Sequence, residues 1–284
     1  MRNLLIGACL VLMAQGCATQ STRREFQTSD GVTLSLLESG REFAQSANVK
    51  IALVTGWSMP AAIWRSQLER FGRHFHTIAL DPRGQGESQV PAGGYNAERR
   101  ASDLKEFLDP LSNVLLVGWS LGAIESLQYV HMFGAGRLAG LVLVDSSVGE
   151  EPAPPPGGTF LQALHDDRDK TLDGFVRAIF KKPPSDADVV ALVNGAKRIP
   201  VESSIALLSY PFPRTHWKEI AHGFKKPLLY VVTPQFEAQA INLKKNRPGT
   251  QVEIFSDAGH TLFVDEPERF NTLILRFAQG LSTR

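Results

Sequence analysis

Two residues of this chain stand where their types can do covalent chemistry: Ser120 within Gly118-Trp119-Ser120-Leu121-Gly122, and His260 within Asp257-Ala258-Gly259-His260. The serine motif follows the apolar run at 114–117 and precedes a helix-like stretch at 123–130. A strand, a G-x-S-x-G turn and a helix in that order predict a nucleophile elbow, a sharp turn that lifts a serine hydroxyl out of the sheet. Glycines are required at its flanks because a Cβ there would crowd the strand against the helix. Ser120 is therefore the expected nucleophile. Among seven histidines, His260 is set apart by its place after the last predicted strand, between Gly259 and Thr261. An imidazole that titrates near neutrality can take a proton and give it back.

The elements that must position these residues are legible as alternating strands and helices. Asp30-Gly31 joins two short alternating runs into a predicted hairpin, with strands at 26–28 and 32–38. Apolar runs at 50–54, 76–80, 114–117, 141–145, 228–232 and 251–256 read as buried strands separated by helical patterns. Such alternation predicts an α/β fold, a mostly parallel sheet with helices on both faces. The turn Asp81-Pro82-Arg83-Gly84-Gln85-Gly86-Glu87-Ser88 lacks the third glycine of a dinucleotide fingerprint, since position 89 is Gln, and reads as a tight structural turn. Pro152-Ala153-Pro154-Pro155-Pro156-Gly157-Gly158 interrupts the pattern, and short helical stretches broken by prolines follow as far as 222. That interval is too long for a bare loop, so it is expected to be a helical cap over the site.

The expected organisation is a signal segment at 1–17, a tether at 18–25, a first core part at 26–147, a cap at 148–223 and a second core part at 224–284. With Lys+Arg 30 against Asp+Glu 29 and no long basic stretch, the electrostatic footprint of a nucleic-acid binder is missing. Arg2 followed by an apolar stretch at 4–14, too short to span a bilayer, reads as a targeting segment. Ala14-Gln15-Gly16-Cys17 resembles a bacterial lipoprotein box, with Ala where Leu is usual, and implies lipidation of Cys17 and an outer-membrane protein facing the periplasm. Ordinary secretion is the alternative. The only cysteines, Cys9 and Cys17, lie in the leader, so neither a disulfide framework nor a thiolate metal site is expected in the mature domain.

Taken in order, Ser120, the Asp-x-Arg-Gly-x-Gly-x-Ser turn at 81–88 and the Gly259-His260 loop resemble the α/β-hydrolase superfamily from residue 26 to the C-terminus outside the cap. Thr55-Gly56-Trp57 together with the serine motif looks most like the branch of pimeloyl-carrier-protein methyl ester esterases and small carboxylesterases. The resemblance implies a cofactor-free, metal-free attack of Ser120 on a small acyl ester, with His260 as base and then acid. It also implies an oxyanion hole formed by the backbone N–H groups of Trp57 and Leu121. Thr55 replaces the family's usual His, and the usual acid position after the 228–232 strand falls about where Phe236 stands. Asp145, at the end of the strand after the elbow unit, is the expected acid, and Glu237 is the alternative. Met59 and Trp119 are expected to line a substrate pocket, and Trp64 to be core. Thioester, lactone or peroxyacid chemistry on the same fold remains open, as does a weakly catalytic envelope protein that binds rather than turns over.

Overall fold

The computed structural model describes residues 21–46, 48–154 and 158–282. The expected leader, with Cys17, and the first residues of the expected tether lie outside them. Eight strands form one sheet: β1 (Thr22–Gln27), β2 (Thr33–Ser39), β3 (Lys50–Val54), β4 (Thr77–Leu80), β5 (Val114–Trp119), β6 (Leu138–Val144), β7 (Leu228–Val232) and β8 (Gln251–Ile254). Helices α1 (Arg65–Phe71), α2 (Ala97–Leu108) and α3 (Leu121–Phe133) fill the first crossovers. Between β6 and β7 come α4 (Gly158–Asp166), α5 (Arg168–Ala178), α6 (Asp186–Ala196), α7 (Val201–Ala206) and α8 (Arg214–Gly223). Helix α9 (Glu237–Asn246) precedes β8, and α10 (Leu262–Asp265) and α11 (Pro267–Ser282) close the described chain.

The strand order is β1-β2-β4-β3-β5-β6-β7-β8, antiparallel through β1, β2 and β4 and parallel from β4 onward. Alternation along each central strand sends side chains to two separate cores, which is why these strands read as unbroken apolar runs. Ile51, Leu53, Leu115 and Val117 join Trp64, Phe71, Phe263 and Phe270 on one face. Ala52, Val54, Leu116 and Leu141 join Leu104, Phe107, Leu127 and Tyr230 on the other. The chain leaves β3 toward β4 on one side, and β5 then pairs with β3 on its other side. The carboxyl ends of β3 and β5 therefore flank a switch point, where open α/β sheets leave a crevice. Ser120 follows β5 directly.

Two expected boundaries are corrected. Residues 22–25, expected in the tether, belong to β1, which pairs antiparallel with β2 from Thr22↔Glu38 to Gln27↔Thr33. This is an edge strand whose mostly exposed, charged side chains hide its pairing: the backbone ladder to β2 carries most of it, with Phe26 on Phe107 and Arg24 on Glu38 as side-chain contacts. Helix α8, expected in the cap, belongs to the core: its Trp217, Ile220 and Ala221 are buried with Leu141 and Tyr230, beside α3. The proline breaks around 211–213 hid the change from cap to sheet-covering helix.

Candidate active site

Ser120 sits at φ 55° and ψ −118°, a strained conformation for a residue with a side chain. Its N–H donates to Val144 O at 2.9 Å, which ties the turn to β6, and α3 begins at the next residue. The flanking glycines are needed for contact rather than for dihedral freedom. A Cβ on Gly118 would lie 2.3 Å from Gly122 O, and one on Gly122 would lie 2.6 Å from Val54 O. Gly118→Ala is therefore expected to push α3 off the sheet, lowering stability by about 1–3 kcal/mol and abolishing any activity of Ser120. Thermal unfolding beside an activity assay checks this.

The structure brings His260 onto Asp145, with Nδ1 and Oδ2 2.7 Å apart. A carboxylate in this place pairs with an Nδ1–H donor, the tautomer that leaves the Nε2 lone pair to take a proton. Asp145 is fully buried, and its other oxygen accepts from the Thr233 N–H at 2.7 Å and from the Thr233 hydroxyl at 2.8 Å. Three donors thus converge on one carboxylate that, among the described residues, forms no ion pair with an arginine or lysine. Thr233 follows β7 directly, so the strand end where an acid was expected from the resemblance instead supplies donors to an acid one strand away. Glu237 stands in the first turn of α9, and the histidine is partnered by Asp145 instead.

Cap and core both hold the histidine loop. Trp119 Nε1 donates to His260 O at 2.9 Å, joining that loop to the elbow. Thr261 N and Oγ1 donate to Ile179 O at 2.8 and 2.9 Å, and a Cβ on Gly259 would lie 2.7 Å from Lys181 N. The cap segment at 179–181 thus presses against the residue before His260, and only glycine leaves room.

The segments that carry the two expected oxyanion residues meet at the serine. Leu121 opens α3, whose N-terminal end carries partial positive charge. Trp57 lies in the loop after β3, where a Cβ on Gly56 would be 3.1 Å from Ser120 Cβ. The Trp57 indole points away to the cap: Nε1 donates to Ser204 O at 2.7 Å, and Phe160 and Phe175 meet the ring edge-on. A pocket of about 260 Å3 opens beside Ser120, Leu121, Ile124, Ser146, Leu208 and Trp217, with Tyr210 and Arg214 also on its wall. Met59 and Trp119, expected to line such a pocket, do not. They are 0% and 1% exposed, and Trp119 packs against Trp64 and Phe263 in the core. Sequence reading missed Thr233, Tyr210 and the serine after Asp145, because each depends on a neighbour distant in the chain. Among the described residues no group of His, Cys, Asp and Glu is placed to hold a metal ion.

A strained serine elbow and a histidine–aspartate pair at the switch point of a doubly covered, mostly parallel sheet define the α/β-hydrolase class. The chain belongs to the alpha/beta hydrolase family, whose model matches residues 51–273. It is similar to the pimeloyl-[acyl-carrier protein] methyl ester esterase of Vibrio vulnificus, with 24% identity over 265 residues, 82% of this chain and 96% of that relative. An esterase from Exiguobacterium antarcticum shares the fold at TM-score 0.75 and 22% identity, over 90% of this chain and 98% of the other. A bromoperoxidase from Bacillus anthracis does so at TM-score 0.78 and 19% identity, over 91% and 100%.

Proposed function

We propose that the chain is a serine hydrolase that cleaves a small carboxylic ester through an acyl-enzyme. The observation that carries this reading is the His260–Asp145 contact at 2.7 Å, beside an elbow that exposes Ser120. In the proposed cycle Ser120 Oγ attacks the ester carbonyl carbon while His260 Nε2 takes the hydroxyl proton. The carbonyl oxygen becomes an oxyanion held by the N–H groups of Leu121 and Trp57. Collapse breaks the bond to the alcohol oxygen, and His260 returns the proton to that leaving group. Water then attacks the acyl-serine with His260 again as base, releasing the acid and restoring Ser120. The largely apolar wall of the pocket, Leu121, Ile124, Leu208 and Trp217, suits an uncharged acyl group. Fluorophosphonate labelling tests the reading. A folded protein that takes up the probe and hydrolyses a short-chain aryl ester fits it, and one that does neither is a binding protein on this fold.

The proposal extends to the leader. Cys17 carries lipid and holds the domain at the cell envelope, as the short apolar stretch ending at Gly16-Cys17 supports. Cys17→Ser is expected to move the protein from the membrane to the soluble periplasmic fraction. Unchanged membrane fractionation would contradict it.

A further inference from the structure

Behind the proposed oxyanion hole lies a run of buried polar groups that the ester mechanism does not use. Gln85 is 1% exposed and stands between Gly84 at φ 79° and Gly86 at φ 52°, a left-handed pair that turns its amide inward. Its Nε2 lies within donating distance of Thr55 Oγ1 at 3.2 Å, Gly56 O at 3.0 Å and Met59 O at 2.8 Å. Two amide hydrogens serve three acceptors, so one is shared. Its Oε1 accepts from both terminal nitrogens of Arg100 at 3.3 Å, which fixes the amide's orientation. Arg100 Nη2 in turn lies 2.8 Å from Glu125 Oε1, with both side chains buried. Glu125 is on α3, one turn beyond Leu121. Burial pushes its carboxyl up to about 7 against the pull of Arg100.

The two ends of this run are the two segments that carry the proposed oxyanion donors. At one end the carbonyls of Gly56 and Met59 bracket Trp57 and Ser58, and Ser58 sits at φ 59°, a conformation a serine rarely adopts. Within the loop's own backbone only Met59 N–H to Gly56 O, at 3.3 Å, closes the turn. A strained residue persists where its surroundings over-determine it, and here Gln85 grips the backbone on both sides of the strain. At the other end Glu125 anchors the run to the helix that begins at Leu121. We infer that Gln85, held by the Arg100–Glu125 pair, is a positioning residue that sets the Trp57 N–H against the Leu121 N–H. The inference rests on the ester reading above, and Gln85 touches no substrate.

Because the oxyanion exists only in the transition state, a misplaced donor lowers kcat and spares substrate binding. Gln85→Met keeps length and volume and removes every donor. It is expected to lower kcat on a short-chain aryl ester by about 10- to 100-fold, with KM changed less than about threefold. The affinity for an alkyl trifluoromethyl ketone, whose serine adduct places an oxygen in the oxyanion position, should fall by the same factor as kcat/KM. Thr55→Val and Glu125→Gln should shift the same two quantities in parallel by smaller factors, and they carry the test if Gln85→Met fails to fold. A folded Gln85→Met protein with wild-type kcat overturns the inference, as does a loss confined to KM or one the ketone does not mirror. Wild-type protein that neither hydrolyses the ester nor binds the ketone overturns the ester reading itself, and the inference with it.

Discussion

Ser120→Ala is expected to reduce turnover of a short-chain aryl ester by about 10^5-fold or more while the domain stays folded. No other group on the elbow can form the acyl bond, and loss of a triad nucleophile costs on the order of 10^6 in kcat in enzymes of this mechanism. The fold should tolerate the change for local reasons. Ser120 is only partly buried, so removing its oxygen opens no cavity, and its N–H to Val144 O bond remains. The unusual φ of 55° is as costly for alanine as for serine, so the strain stays the same. A small residual rate is expected from the backbone donors at Leu121 and Trp57, which the substitution leaves untouched. Initial rates at matched circular dichroism check this, and a variant retaining more than about 1% of wild-type turnover would exclude Ser120 as nucleophile.

Asp145→Asn is expected to lower kcat by about 10^4-fold, and Glu237→Gln to leave it within about twofold. The reason lies in the donors around Asp145. Its Oδ1 accepts the Thr233 N–H and hydroxyl, and its Oδ2 faces His260 Nδ1. An asparagine has one acceptor oxygen for these two sites. The backbone N–H of Thr233 cannot reverse its role, so the amide oxygen stays there and the NH2 turns to His260. Nδ1 must then become the acceptor and the proton moves to Nε2, where a base is needed. A wrong tautomer, rather than a broken fold, accounts for the loss. Glu237 offers no such coupling to the histidine. Rates for both variants at equal folded fraction check the pair, and an inactive Glu237→Gln with an active Asp145→Asn would reverse the assignment.

Much of this site was legible because its elements obey local rules. The elbow is a strand, a turn whose glycines permit close contact, and a helix, all contiguous in sequence, and His260 follows the last strand in the same local way. Asp145 could be preferred to Glu237 only narrowly, since the choice turns on a 2.7 Å contact between the loop after β6 and the loop after β8. Thr233 gave no signal, because one threonine at a strand end looks like any other. The charged edge of β1 hid a strand whose pairing is carried mostly by its backbone ladder to β2. Met59 and Trp119 misled because large apolar residues next to a nucleophile suit a pocket and a core equally, and burial decides between them. Gln85 lay in a turn read as structural, and its inward amide becomes meaningful only when the loop at 55–59 is seen folded over it.

An aryl carbamate reads the central chemical step directly, since its carbamoyl-serine product hydrolyses far more slowly than an acyl-serine. Mixing the wild-type protein with such a compound is expected to release one equivalent of phenol per active site. Mass spectrometry should then find the carbamoyl mass on the peptide that spans residues 118–122, at Ser120. Phenol release with that peptide unmodified, or with the adduct on another residue, would contradict covalent catalysis by Ser120.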